Sequence, residues 1–268
     1  MKPSIQRLTL FAIAAVAFTG CSKNNSSTGG NVYPPPAPVI NSQVFSVAGD
    51  STGIVARLND FRAFAGDPVN TAPGAVGGRR EINWDAVPAT FTNNNNFPLD
   101  FFGSSDPTLP NGRKRGLILI GNTTFRVDST DFSEVDPSYA AQFSPFSKNR
   151  LFAYMGNNVT QLSFKVPGTS TDAYIKGFAV IFSDVDVADV TTVEYFNGDR
   201  SLGVFKAAPA PQGFSLVAVG FPDEKVTRVK ITAGNGLLGA GVKDISDGGP
   251  KDLVVMDDFI YSEPQALQ

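Results

Sequence analysis

Beyond Gly66 the apolar residues of this chain recur at every second position, and that period constrains the fold more than any other feature of the sequence. The run Gln161-Leu162-Ser163-Phe164-Lys165-Val166 puts Leu, Phe and Val on one face of an extended strand and Gln, Ser and Lys on the other; Arg228-Val229-Lys230-Ile231-Thr232 repeats the pattern. Further strands are expected at 116–120, 124–127, 174–182, 191–196, 201–206, 214–220 and 253–261. Turn signals such as Pro167-Gly168 separate them, and Asn197-Gly198 between two strand-like runs predicts a hairpin. Strands do not alternate with helices, which disfavours a parallel α/β fold. The sequence therefore predicts an all-β chain, an antiparallel jelly-roll-type β-sandwich, whose 22 Phe supply much of the buried surface.

One segment ahead of Gly66 has a different period. Ile54, Leu58, Phe61 and Ala65 stand at helical spacing, with Asp50 or Ser51 as N-cap and Gly66 as the stop, so a short N-terminal helix is expected. The organisation that follows is a leader over 1–20, a Ser/Asn/Pro-rich tether over 21–43 stiffened by Pro34-Pro35-Pro36, a helical segment over 44–76 and the sandwich over 77–264.

The leader has Lys2 and Arg7 ahead of an apolar or small stretch from Leu8 to Phe18, which is signal-peptide length and short for a bilayer span. It runs into Ala17-Phe18-Thr19-Gly20-Cys21, which resembles the bacterial lipobox. The resemblance implies cleavage before Cys21, acylation of that cysteine with palmitate-like chains, and a lipid bilayer as partner. The expected location is the cell envelope, at the outer membrane. Cys21 is the one cysteine in the sequence, so it has no intrachain disulfide partner. Acyl chains contribute about 0.8 kcal/mol per buried methylene, which anchors a protein without a transmembrane helix.

The formal charge is −3, and removing residues 1–20 takes away two cations and no acid. Basic residues cluster only at Arg79-Arg80 and Arg113-Lys114-Arg115, which argues against nucleic acid as a partner. The chain has no histidine. That removes Ser-His-Asp and Cys-His catalysis and every His-based zinc site, leaving carboxylates, Lys, Arg, Tyr and hydroxyls for chemistry.

Asp184, Asp186 and Asp189 recur as D-x-D-x-x-D after a strand, a spacing that gathers oxygens for a hard cation such as Ca2+ outside any EF-hand; turn-forming aspartates in a solvated loop are the plainer reading. Asp257 and Asp258 are adjacent in an apolar strand, so their side chains are expected on opposite faces. Either could contact a ligand or calcium, or accept backbone N–H bonds, or pair with Arg79 or Arg80. Trp84 is either a core anchor or a stacking platform for a sugar ring. Gly234-Asn235-Gly236-Leu237-Leu238-Gly239 matches G-x-G-x-x-G, but the glycines and Pro250 that follow exclude the helix a nucleotide site needs. Asp50-Ser51-Thr52 and Asp128-Ser129-Thr130 resemble the O-glycosylation signal of Bacteroidota, although capping and turn roles account for both.

Three runs, 78–85, Phe182-Ser183-Asp184-Val185-Asp186 and Val255-Met256-Asp257-Asp258-Phe259-Ile260-Tyr261, resemble a group of exported bacterial β-sandwich lipoproteins. The last run is also similar to the closing strand of MAM-like, lectin-like jelly rolls, without that family's disulfide cysteines. The lectin-like resemblance implies a recognition role; together with the sandwich architecture it leads to the expectation of a non-catalytic recognition or structural module with carbohydrate as the ligand, no required cofactor, and calcium as a structural ion at the aspartates of the D-x-D-x-x-D run. No catalytic residue is assigned. A glycan hydrolase using two carboxylates, with Glu81 beside Asp257 or Asp258 as the pair to inspect, and a structural partner of an outer-membrane assembly are the alternatives.

Overall fold

A computed structural model describes residues 39–121 and 124–267. The leader, Cys21 and most of the expected tether lie outside the described residues. Among those described, no helix is long and apolar enough to cross a membrane.

The chain forms β1 (Gln43–Val44), β2 (Val47–Gly49), helix α1 (Ser51–Ala65), β3 (Arg79–Ile82), β4 (Leu117–Ile120), β5 (Phe125–Asp128), β6 (Leu151–Tyr154) and β7 (Val159–Lys165). It continues through β8 (Asp172–Tyr174), β9 (Gly177–Val185), β10 (Thr192–Asn197), β11 (Arg200–Lys206), β12 (Ala210–Gly220), β13 (Arg228–Thr232), β14 (Val255–Ser262) and β15 (Gln265–Ala266). Two antiparallel sheets result. The first runs β1-β12-β9-β14-β6-β5, with β2 also on β12 and β3 on β14; the second runs β11-β10-β13-β7-β8-β15, with β4 on β7.

The alternation read from the sequence explains how the sheets meet. Leu162 and Phe164 of β7, and Val229 and Ile231 of β13, point into one core with Phe178, Val180 and Phe182 of β9 and with Phe259 and Tyr261 of β14. Each fully buried aromatic or large aliphatic side chain contributes roughly 1.5–3 kcal/mol there. The hairpin at Asn197 forms with Asn197 opposite Arg200, and Gly198 takes the positive φ of 59° that its tight turn requires.

Helix α1 has its N-cap at Asp50, whose side chain accepts from Gly53 N at 2.9 Å, and ends at Gly66 with φ 103°. Its buried residues are Ile54, Leu58, Phe61 and Ala65, the four that define its period. They pack on the outer face of the first sheet against Ala179, Ile181, Leu216, Ala218 and Ile260. With β1 and β2 paired on β12, the helical segment belongs to the same compact unit as both sheets, and Gln43, expected to end the tether, begins a strand. Further along the same outer face, Phe132, Tyr139 and Phe143 cover Leu151, Leu253 and Val255.

One expected strand divides. Residues 174–182 are not continuous: β8 ends at Tyr174 beside Gln265 in the second sheet, and β9 starts at Gly177 beside Gly220 in the first. Ile175 and Phe178, three residues apart, both face the core, so the chain changes sheets between them.

Candidate metal centre

Phe182 and Val185 are also three residues apart and also both face the core, so the strand alternation slips by one at the end of β9. Asp184 occupies the slip with a left-handed φ of 67°, a conformation that Asp tolerates better than most residues. Opposite it, the register of β12 shifts between Ala210 and Phe214, which frees Gln212 N to donate to Asp184 Oδ1 at 2.7 Å. Gln142 Nε2 donates to Asp184 Oδ2 and also lies 2.8 Å from Ser246 Oγ.

Asp244 arrives from the connection between β13 and β14, where it caps the short turn Ile245–Asp247. Its carboxylate accepts from Ser246 N at 2.6 Å and from Leu253 N at 2.7 Å. Asp252, just beyond, accepts from the backbone N–H groups of Asp186 at 3.3 Å and Val187 at 3.0 Å, which fixes the chain after β9.

Carboxylate oxygens of Asp184, Asp186 and Asp244 lie within 4.8 Å of one another. Two oxygens on one calcium ion at roughly 2.3–2.6 Å can be separated by at most about 5.2 Å, so all three can ligate a single ion. Asp186 is the decisive member. Both of its carboxylate oxygens are out of contact with solvent, and no N–H or hydroxyl donor reaches either. Among the described residues no Lys or Arg forms an ion pair with Asp184, Asp186, Asp244 or Asp252.

The electrostatics follow. Burial pushes the Asp184 carboxyl up to about 6 against the hydrogen bonds from Gln142 and Gln212, and repulsion by Asp244 and Asp252 adds to the rise. Burial, a carboxyl–carboxyl contact with Asp244 that bonds only through a shared proton, and repulsion by its acidic neighbours push Asp186 up to about 7. Burial also raises Asp252. The group attracts positive charge, whether a divalent cation or protons.

Asp189 lies outside this group. It turns away at a φ of 70° and pairs with Lys206 at 2.9 Å on the surface, its side chain 67% exposed. Asp244 fills the place that local spacing assigned to it. Sequence reading had no means of finding Asp244, Asp252 or Gln142, because each comes from a separate segment and carries no local motif.

The second pair of acids is arranged differently. The register of β14 shifts between Met256 and Phe259, both of which face the core, so Asp257 and Asp258 point the same way rather than to opposite faces. Ser147 Oγ lies 3.1 Å from Asp257 and 2.7 Å from Asp258, with one hydroxyl hydrogen shared between them, and Asp257 also accepts from the N–H groups of Phe146 at 2.6 Å and Ser147 at 3.1 Å. Burial and the adjacent Asp258 push Asp257 up to about 9. Neither acid meets Arg79 or Arg80: Arg79 pairs with Asp67 and Glu81, and Arg80 pairs with Glu263 in the interior.

Trp84 is a core anchor at 1% exposure. Its ring stacks on Phe152 at 4.0 Å, meets Phe97, Phe102 and Phe259 edge-on, and donates through Nε1 to the Asp257 carbonyl at 2.9 Å. No broad face of the indole is open for a sugar to stack on. Gly234 to Gly239 lie in the β13–β14 connection with no helix after them, and Asp128 holds the Thr130 and Phe132 N–H groups at 2.7 and 2.8 Å in a local turn.

No protein-family model matches this chain, and no curated protein or solved structure is similar enough to be matched to it.

Proposed function

We propose that this protein is a lipid-anchored recognition module of the bacterial cell envelope, in which a jelly-roll-type sandwich binds carbohydrate without catalysis and a divalent cation, calcium, braces one end of it. The sheet changes from β9 to β10, β11 to β12, β12 to β13 and β13 to β14 support the jelly-roll description. The Cys21 lipobox supports the anchor.

The observation that carries the non-catalytic reading is where the carboxylates lie. A cleft of about 120 Å³ opens beside β3, and Glu81 is the one acid lining it. Burial alone would raise the Glu81 carboxyl, but hydrogen bonds from Arg62 and Arg79 outweigh it and hold the group below its usual value. A general acid needs the opposite shift. The acids that are raised, Asp131, Asp184, Asp186, Asp252, Asp257 and Asp258, do not line this cleft.

The test is incubation of the purified protein with a panel of polysaccharides and peptidoglycan, with calcium and with chelator, read by retention and by reducing-sugar release. Retention without product is expected. Product that disappears on Glu81→Gln or Asp257→Asn would replace this reading with a hydrolase. For the anchor, labelled fatty acid is expected in the wild-type protein and absent from Cys21→Ser; label in the variant would remove Cys21 as the site.

A further inference from the structure

The cleft beside β3 has a chemistry of its own. It is lined by Trp84, Phe101, Phe102 and Val87, all buried, and by Arg113 and Arg115, both half-buried. The volume of about 120 Å³ is many times the roughly 10–15 Å³ needed for one water, so it has room for a small organic group.

Arg115 is held in place from three sides. Its N–H donates to Phe102 O at 2.6 Å, its carbonyl accepts from Tyr261 Oη at 3.1 Å, and its Nη1 donates to Glu81 O of β3 at 2.7 Å. Its Nε is buried and has no hydrogen-bond partner. A buried cationic donor left unpaired is costly, and the Nε–Nη2 edge of a guanidinium is a fork that fits the two oxygens of a carboxylate. Arg113 lies over the Phe101 ring, its Cζ 3.8 Å from the centroid, and its Nε donates to Phe101 O at 2.7 Å. Neither arginine forms an ion pair among the described residues, while the one lining acid, Glu81, is already held by two other arginines. The cleft therefore joins an apolar, aromatic wall to an unneutralised pair of positive charges that are already ordered, which lowers the entropic cost of binding.

We infer that this cleft takes a carboxylate-bearing ligand; resting on the carbohydrate-binding reading above, that ligand is an acidic sugar of the hexuronate class. When the side chains that cover Arg115 Nε give way, its Nε–Nη2 edge takes the carboxylate side-on, Arg113 supplies the second positive charge, and the ring lies against the apolar wall.

Trp84 lines the cleft and is the one tryptophan, so its emission reports occupancy directly. The experiment titrates the full protein with glucuronate and galacturonate, with glucose as the neutral control and acetate as the carboxylate without a ring. A saturable change in Trp84 emission with both uronates and none with glucose is expected. Arg115→Lys keeps the charge but loses the fork, and is expected to weaken binding about tenfold or more. Ala86→Glu, on the exposed lip of the cleft, tests the same point without disturbing the core: it introduces a negative charge and should abolish uronate binding with an unchanged melting curve. Acetate that matches the uronates would keep the carboxylate site and overturn the sugar reading. Polysaccharide retention that uronates do not displace would keep the sugar reading and overturn this cleft as its site. No saturable change with any carboxylate, or an equal response to glucose, would overturn the inference outright.

Discussion

Two groups of aspartates gather at slips in the first sheet, and they differ in what neutralises them. Asp257 and Asp258 sit under the Phe146-Ser147 backbone, which directs N–H and hydroxyl donors at them, and they share the remaining contact between themselves. Asp184, Asp186 and Asp244 also converge, but Asp186 receives no donor at all. Both groups arise from the same local event, a slip in strand alternation that turns an acid out of register with the core. The comparison teaches that the slip creates the acidic site and the covering segment decides its character. Where that segment brings N–H groups the acids become a structural lock; where it brings a further carboxylate, they are left to attract a proton or a cation.

The largest expected effect breaks the lock. Asp257→Ala leaves the Phe146 and Ser147 N–H groups without an acceptor, at about 1–3 kcal/mol each, so denaturant unfolding should show a loss of about 3 kcal/mol. Asp257→Asn should stay within about 1 kcal/mol of wild type, because an amide reproduces the acceptor and the donor of a carboxyl that is already protonated at neutral pH. Equal losses in both variants would contradict the donor-saturated picture.

The metal-free cluster should respond with the opposite sign. In chelator, Asp186→Asn removes a buried charge repelled by Asp184, Asp244 and Asp252, and a gain of about 1 kcal/mol is expected in the same unfolding assay. The same variant should lose its response to calcium. Destabilisation in chelator would mean that Asp186 has a partner of its own.

Acidity separates the two groups further. Asp184, Asp186 and Asp257 have folded values of about 6, 7 and 9 against an ordinary 3.8, so the folded chain binds more protons than the unfolded chain. Stability without calcium should therefore be highest near about pH 4 and fall as pH rises through those values. Calcium should offset the part of the fall due to Asp184 and Asp186 and leave the part due to Asp257, a split measurable by melting curves across pH in chelator and in calcium. A fall of the same depth in both conditions would place no cation at the cluster.

The smallest expected effect is a control within the comparison. Asp189→Asn touches an exposed pair with Lys206, and it should change stability by less than about 0.5 kcal/mol while leaving the calcium response intact. Loss of that response would return Asp189 to the site.

Much of this architecture was legible because period two is a local signal. The strands around Leu162-Phe164 and Val229-Ile231, the hairpin at Asn197-Gly198 and the helix with Ile54, Leu58, Phe61 and Ala65 all express residues that are neighbours in sequence. Short edge strands such as β1, β2 and β15 carry too few residues for a period and are held by their partners. The site was legible only in half. Asp184 and Asp186 are local, and the apolar residues three apart, Phe182 with Val185 and Met256 with Phe259, are a sequence signal for the slips. Asp244 and Gln142 reach the cluster through tertiary packing, which no spacing encodes. Trp84, by contrast, shows that an aromatic beside a polar run can pack almost entirely into the core, with only an edge beside the cleft.

The central claim is that Asp184, Asp186 and Asp244 hold a divalent cation, and scanning calorimetry of the purified protein in excess chelator and in millimolar calcium tests it most directly. Calcium at about 100 times its dissociation constant stabilises the folded state by about 2.7 kcal/mol, and roughly 2–4 °C per kcal/mol applies to a domain of this size. A rise in Tm of at least about 5 °C, absent in Asp186→Asn and retained in Asp189→Asn, is the predicted result; superimposable curves for the wild-type protein in chelator and in calcium would contradict it.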